Sequence, residues 1–170
     1  MFSVDLYFSF RSPYSYFILP RIIELRDNYG VNIDFKLVYP LAIREPHFFK
    51  GKNGITYFIP KIFDYFLQAK KLGMKFKPPK PDPINQSILT GKISNNQPFI
   101  FDLCHIGQSM CNKNLGIEFA HEISNSIFGG KVDWHKDNHL SSICSKLGVD
   151  FEEIKICLLY TSPSPRDVEE

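Results

Sequence analysis

Apolar residues follow two periods along the chain, a period of two near its start and a helical period over most of the remainder. Val4 to Phe10 is mostly apolar and rich in aromatics, which fits a buried strand. Arg11-Ser12-Pro13 interrupts that run, with Ser12 placed as a helix N-cap and Pro13 at the first helical position. Tyr16, Phe17, Leu19, Ile22, Ile23 and Leu25 then keep helical spacing until Gly30 ends the helix. Val31, Ile33, Phe35, Leu37 and Tyr39 alternate strictly with other residues and predict a second strand. Strand, helix and strand make a βαβ unit over residues 1–40, with parallel strands and a right-handed crossover.

Beyond Pro40 the pattern turns helical. One helix is expected over Tyr57 to Leu72, with Pro60 tolerated in its first turn. The segment from Lys75 to Pro83 carries four prolines and three lysines and reads as a stiff, solvated loop. Further helices fit Pro98 to Asn112, Leu115 to Phe128 and His135 to Leu147, and Phe151 begins a last one. Residues 41–130 are thus expected to form a helical insertion, and 131–156 helices that return toward the first unit. The fold class is α/β. A two-stranded sheet is a poor core by itself, so the remaining strands are expected to be missing through truncation. The segment 157–170, CLLYTSPSPRDVEE, agrees with this, because CLLYTSPSPRD matches an in-frame translation of a sequencing-library adapter. It is read as a non-native tail, with the native sequence ending near Ile156.

At 170 residues, one domain carrying an insertion is the expected organisation. A hydrophobic share of 44% against 22% charged residues excludes disorder for most of the chain. No apolar run approaches the ~18 residues of a membrane span. The formal charge is +2, or +4 without the tail, and no basic block or stripe points to nucleic acid. MFSVDLYFSF has no basic segment leading into an apolar stretch, so a cytoplasmic protein without a signal peptide is expected. Four cysteines without a C-x-x-C spacing read as reduced thiols, neither a disulfide framework nor a zinc site.

The chemistry concentrates in FSFRSPYSYFILP, residues 8–20, where a strand passes through a tight turn into a helix. A helix start has unpaired N–H groups and the positive end of the dipole, so it attracts negative charge. Ser12 sits at the tip, either as a plain cap or as something more. The segment resembles the active-site turn of thioredoxin-like proteins, with Ser12-Pro13-Tyr14-Ser15 in the place of C-x-x-C and Pro20 five residues beyond Ser15. Hydroxyls stand at both sulfur positions, so dithiol exchange at this turn is excluded. A closer resemblance is to the DsbA-like branch that holds 2-hydroxychromene-2-carboxylate isomerases and kappa-class glutathione transferases. Those proteins share the S-P-Y-S turn and place a helical insertion after the second strand.

The resemblance implies a thioredoxin-like half with a large helical insertion domain, and glutathione as cofactor. Ser12 would be the catalytic residue, facing the thiol sulfur. Serine is too weakly acidic to be a nucleophile without a base. As a donor to a thiolate near a helix start, it would lower the thiol's pKa. The activity implied for the full-length protein is a glutathione-dependent cis–trans isomerisation of an aromatic-derived keto acid, and the truncated fragment itself is expected to be inactive. A kappa-like transferase and a non-catalytic binding module are the alternatives. The partners expected are a small aromatic substrate and a second copy of the full-length chain.

Arg11, Ser15, Asn53 and Lys61 are the expected glutathione-binding residues. Arg11 adjoins Ser12 and is read either as stabilising an anion or as a plain exposed side chain. Asn53 matches an insertion-domain Asn ahead of a proline-led helix, although Asn-Gly is otherwise simply a turn. Lys61 resembles the family's carboxylate-pairing basic residue, but Ile62 stands where the transferases carry their lysine, and a solvated surface lysine is the competing and favoured reading. Phe48, Phe49, Tyr57, Phe58 and Phe63 either wall an aromatic pocket or belong to plain core. His135 and His139 are four apart but lack a third ligand, so no metal is expected. Cys104 and Cys111 read as apolar fillers.

Overall fold

The first strand, β1 (Ser3–Phe8), enters helix α1 (Pro13–Tyr29) through a turn, and β2 (Asn32–Leu37) returns parallel beside β1. This computed structural model describes residues 2–52, 54–87 and 89–161. The register pairs Ser3 with Asn32 and runs to Phe8 with Leu37. β1 stops two residues before the sequence pattern does, because the Ser9 carbonyl accepts the Ser12 N–H at 3.0 Å and closes a turn. Phe10 therefore leaves the strand yet stays buried, edge-on to Phe8 and Phe119. At the far end of α1, Gly30 takes the left-handed conformation (φ 62°), from which its N–H reaches the Arg26 carbonyl. A side chain there would be strained, hence the glycine.

Six further helices come after it: α2 (Leu41–Arg44), α3 (Ile59–Leu72), α4 (Ile100–Asn112), α5 (Gly116–Gly129), α6 (Asp137–Lys146) and α7 (Phe151–Thr161). The short α2 and a 3-10 turn at Pro46–Phe49 have no counterpart in the periodicity, since four residues cannot display a period. The helix expected from Tyr57 splits into a π-helical turn at Gly54–Phe58 and α3 proper. α7 continues to Thr161, five residues into the segment expected to be foreign. Among the described residues the sheet has two strands, and no helix is long and apolar enough to cross a membrane.

α5 is the central support. It packs against α1 on one side and against α4 and α6 on others, while α4 also touches β2 and α7. Phe8, Phe10, Leu19, Ile106, Met110, Phe119 and Ile123 are fully buried where these elements meet. Each such side chain contributes on the order of 1.5–3 kcal/mol through apolar burial. Gly107 lets α4 come this close: a Cβ there would lie 2.8 Å from the Phe10 ring and 3.0 Å from Leu37. A second aromatic cluster joins α1 to the insertion, with Phe76 edge-on to Phe17 and both Tyr16 and Phe76 stacked on Phe128.

Candidate functional site

Ser12 caps α1 and also borders a cavity. Its oxygen accepts the Ser15 N–H at 3.2 Å, which caps α1 and satisfies one of the helix's orphan donors. A hydroxyl also carries one proton to donate. Capping uses only a lone pair, so the Ser12 proton stays available to a group in the cavity that Ser12 lines. The choice between cap and chemistry is therefore not exclusive. The Ser15 hydroxyl accepts the Ser9 N–H at 3.4 Å, which ties the helix start back to the strand end.

The cavity measures about 390 Å³ and lies between the turn and the insertion. Its apolar wall is built from Phe49, Tyr57, Phe58, Tyr65, Phe76 and Phe128. Three of the five aromatics read as either pocket wall or plain core are there. Phe48 and Phe63 are instead exposed, and Tyr65, Phe76 and Phe128 take the remaining places. The proline-rich segment is a correction to the sequence reading. It lines the cavity with Phe76, Pro78, Pro79 and Asp82 and buries Phe76 and Ile84, because its stiff backbone can be docked at little entropic cost.

Arg11, expected to meet an anion, is engaged by the protein itself. Its Nε and Nη2 donate to the two carboxylate oxygens of Asp82 at 3.0 and 3.1 Å, and Nη1 donates to Gln86 Oε1 at 2.7 Å. The pair cancels its own charge. Lys61 lines the same cavity, with its ammonium 5.0 Å from the Tyr57 ring centre and no ion pair to any described residue. The Lys52 ammonium lies 4.9 Å from the same ring centre, and desolvation together with the nearby Lys61 lowers its pKa. With Arg11 and Asp82 paired, Lys61 leaves the cavity lining net positive. Ile62 is in the lining too, beside Lys61.

Tyr14, the third letter of S-P-Y-S, reaches away from the cavity floor to α3. Its phenol donates to Asp64 Oδ2, and its ring meets Tyr65 edge-on. The Asp64 carboxylate raises the phenol's pKa to about 12, and the same bond holds Asp64 below its usual value. Asn53 lies outside the described residues. Ser15 is not among the lining residues, so the structure brings Ser12, Arg11 and Lys61 to one cavity and leaves the Ser15 hydroxyl on the Ser9 amide.

Cys104 and Cys144 are buried, which pushes their thiols up to about 12 and about 11 and leaves them protonated at neutral pH. Among the described residues no group of His, Cys, Asp and Glu has the arrangement of a metal centre.

No protein-family model matches the sequence, and no curated protein does. Among solved structures, a 2-hydroxychromene-2-carboxylate isomerase matches with a TM-score of 0.64 at 20% identity. The match covers 94% of this chain and 72% of that one. The chain has the fold of that isomerase. It is a thioredoxin-like βαβ unit followed by a helical insertion, in agreement with the S-P-Y-S turn and the helical pattern after Pro40.

Asp82 and Gln86 could not be singled out from the sequence. Their partner Arg11 is 71 and 75 residues away, and a polar residue in a proline-rich stretch has no period to betray it. Tyr65, Phe76 and Phe128 belong to three different segments and meet only through tertiary packing. The one available signal was the concentration of Phe over residues 48–76.

Proposed function

We propose that the chain serves a glutathione-dependent cis–trans isomerase acting on an aromatic-derived keto acid. The observation that carries the reading is the Ser12 hydroxyl, fixed by capping α1 and bordering an aromatic cavity with a net positive lining. The donor set fits glutathione: a hydroxyl proton at a helix start suits a thiolate, and the Lys61 ammonium suits a carboxylate. Bound glutathione would supply the nucleophile, a thiolate able to add reversibly to an activated double bond. The chain's part is to hold that sulfur ionised, orient its carboxylate and exclude water.

Ser12 would donate to the sulfur, and the positive end of α1 would add to the same bias. The aromatic wall would take the planar part of the substrate and keep solvent from the reacting bond. The isomerase fold of the matching structure supports this reading. A net positive lining would accept the carboxylates of both the peptide and the keto acid.

The test is a thiolate absorbance titration of the full chain with glutathione, wild type against Ser12→Ala. Losing one charge-assisted hydrogen bond costs on the order of 1.5–3 kcal/mol, so the bound thiol's pKa should rise by roughly one to two units. Isomerase activity at neutral pH should fall about tenfold to a hundredfold and partly return as pH rises. Superimposable titration curves would refute the role of Ser12 and favour a binding module that has exchanged its cysteines for serines.

A further inference from the structure

Arg11 is held more elaborately than a surface arginine needs to be. Asp82 takes two of its N–H groups in a fork and Gln86 takes a third. Both acceptors are themselves held from behind. Asp82 Oδ1 also accepts the Ile84 N–H at 2.9 Å, and Ile84 is fully buried. The preceding residue, Pro81, gives its carbonyl to the indole N–H of Trp134 at 2.9 Å, and Trp134 is only 1% exposed. Gln86 Nε2 donates to the Gly91 carbonyl at 2.8 Å. Gly91 in turn lies so near the Phe49–Lys52 segment that a Cβ would come within 2.3 Å of the Lys52 carbonyl. A continuous chain of fixed groups thus runs from the buried Trp134 through Pro81 and Asp82 to Arg11, the neighbour of Ser12.

We propose that Arg11 is a positioning residue: clasped by Asp82 and Gln86, it registers the turn that carries Ser12 against the helical insertion and does not itself bind the ligand's carboxylate. The geometry favours this over an anion site for two reasons. Three of the five guanidinium donors are already spent on protein acceptors, and the Asp82 carboxylate cancels the charge an anion would seek. The side chain is only 20% exposed, so little of it remains for a ligand. Lys61 is left as the cavity's unpaired cation among the described residues. The consequence for Ser12 is direct, because a turn of four residues cannot shift at Arg11 without moving the hydroxyl one residue later.

The part of this inference that concerns thiolate chemistry rests on the proposed glutathione function; the clasp does not, and two measurements on the full chain separate them. Amide hydrogen exchange reports the clasp without any ligand. In Asp82→Asn, exchange at the Ser12 and Ser15 amides should quicken by about fivefold to tenfold, while Gly30 and Val31 at the far end of α1 stay unchanged. Gln86→Leu removes one acceptor, leaves Asp82 in place and should shift the same two amides by less; it carries the test if Asp82→Asn fails to fold. Unchanged exchange at Ser12 and Ser15 in the folded variants overturns the proposal. Glutathione titration then gives a result of opposite sign for the competing idea. This titration uses Gln86→Leu, because Asp82→Asn would remove a negative charge from the cavity and lower the thiol's pKa by itself. Freeing an Arg11 N–H should tighten glutathione and S-methylglutathione alike and lower the bound thiol's pKa, if Arg11 were an anion ligand. As a positioning residue its disturbance raises that pKa and leaves S-methylglutathione affinity within about twofold. A lowered or unchanged thiol pKa in Gln86→Leu overturns the proposal. Should wild type bind no glutathione, the proposed function fails and the exchange measurement still decides the clasp.

Discussion

The two walls of the cavity are made in different ways. The wall formed by the turn is local: Ser12 caps Ser15, Ser15 answers Ser9, and Ser9 closes the turn on Ser12, all within seven residues. The facing wall is assembled from parts of the insertion that are far apart in sequence, Phe49, Tyr57, Tyr65, Phe76, Asp82 and Phe128. Local hydrogen bonds can hold a turn in almost any context. A wall of scattered side chains exists only while the tertiary core holds. Substitutions in the two walls should therefore damage the protein differently, the first at one spot and the second throughout.

The largest effect is expected at Trp134, where the second wall is anchored. Trp134 is buried against Phe99 and His135 and donates to the Pro81 carbonyl. Trp134→Ala should cost about 3–5 kcal/mol by emptying that space. Trp134→Phe keeps most of the packing and leaves the carbonyl unpaired, for roughly 1–3 kcal/mol. Chemical denaturation measures both. If Trp134→Phe were as stable as wild type, the insertion wall would not depend on this anchor.

Next comes Gly107, under the first wall. Alanine there would press on Phe10, which cannot swing aside because Phe8 and Phe119 enclose it. Overpacking costs about 1–3 kcal/mol, and the better helix propensity of alanine returns up to about 1 kcal/mol. A net loss of about 1–2 kcal/mol is expected. A stabilised Gly107→Ala would mean that α4 can shift away from the turn.

The contrast between the walls also explains what could be read from the chain. The turn was legible because its signals are short-range: an N-cap Ser, a Pro at the first helical position and a Gly at the far end all act on neighbours. Helices α3 to α6 were legible through their period, to within two residues at their ends. That capping spends only a lone pair of Ser12 was not visible, because a sequence shows that a hydroxyl is present and not which of its bonds are taken. The clasp on Arg11 was hidden for the same kind of reason. Its carboxylate partner sits in a loop whose prolines and lysines suggested only solvation, and no local rule links residues 71 apart.

A smaller effect separates the two serines of the turn. Ser12→Ala removes an N-cap and should cost about 1 kcal/mol of stability, whatever it does to chemistry. Ser15→Ala loses only the longer 3.4 Å contact to Ser9 and should cost less. Thermal unfolding of the two variants gives the order. A Ser15 variant less stable than the Ser12 variant would reverse our picture of which hydroxyl holds the turn.

The smallest expected effect lies where the walls touch, at Tyr14 and Asp64. The phenol of Tyr14 donates to the carboxylate, and Gln68 adds a second hydrogen bond to the same side chain at 3.2 Å. Hydrogen bonds to the ionised form favour it, so Asp64 lies below its usual 3.8, with Tyr14 the largest cause and Gln68 the next. A depressed folded-state pKa stabilises the native state above the unfolded value and loses that contribution as pH falls through the folded one. The opposite holds for Tyr14. Its pKa is raised from 10 to about 12, so the bond's contribution is complete below 10 and disappears as pH climbs toward 12. The contact thus works across the whole neutral range and weakens at both extremes. Both groups face water, so the stabilisation is small and pKa values are the better readout. Following the Asp64 carboxyl by NMR, Tyr14→Phe should move its titration up toward the usual aspartate value, with Gln68 keeping it from arriving there. Gln68→Ala should move it less. An Asp64 titration indifferent to Tyr14 would show that the S-P-Y-S tyrosine does not join the turn to α3, and the two walls would then meet only through their rings.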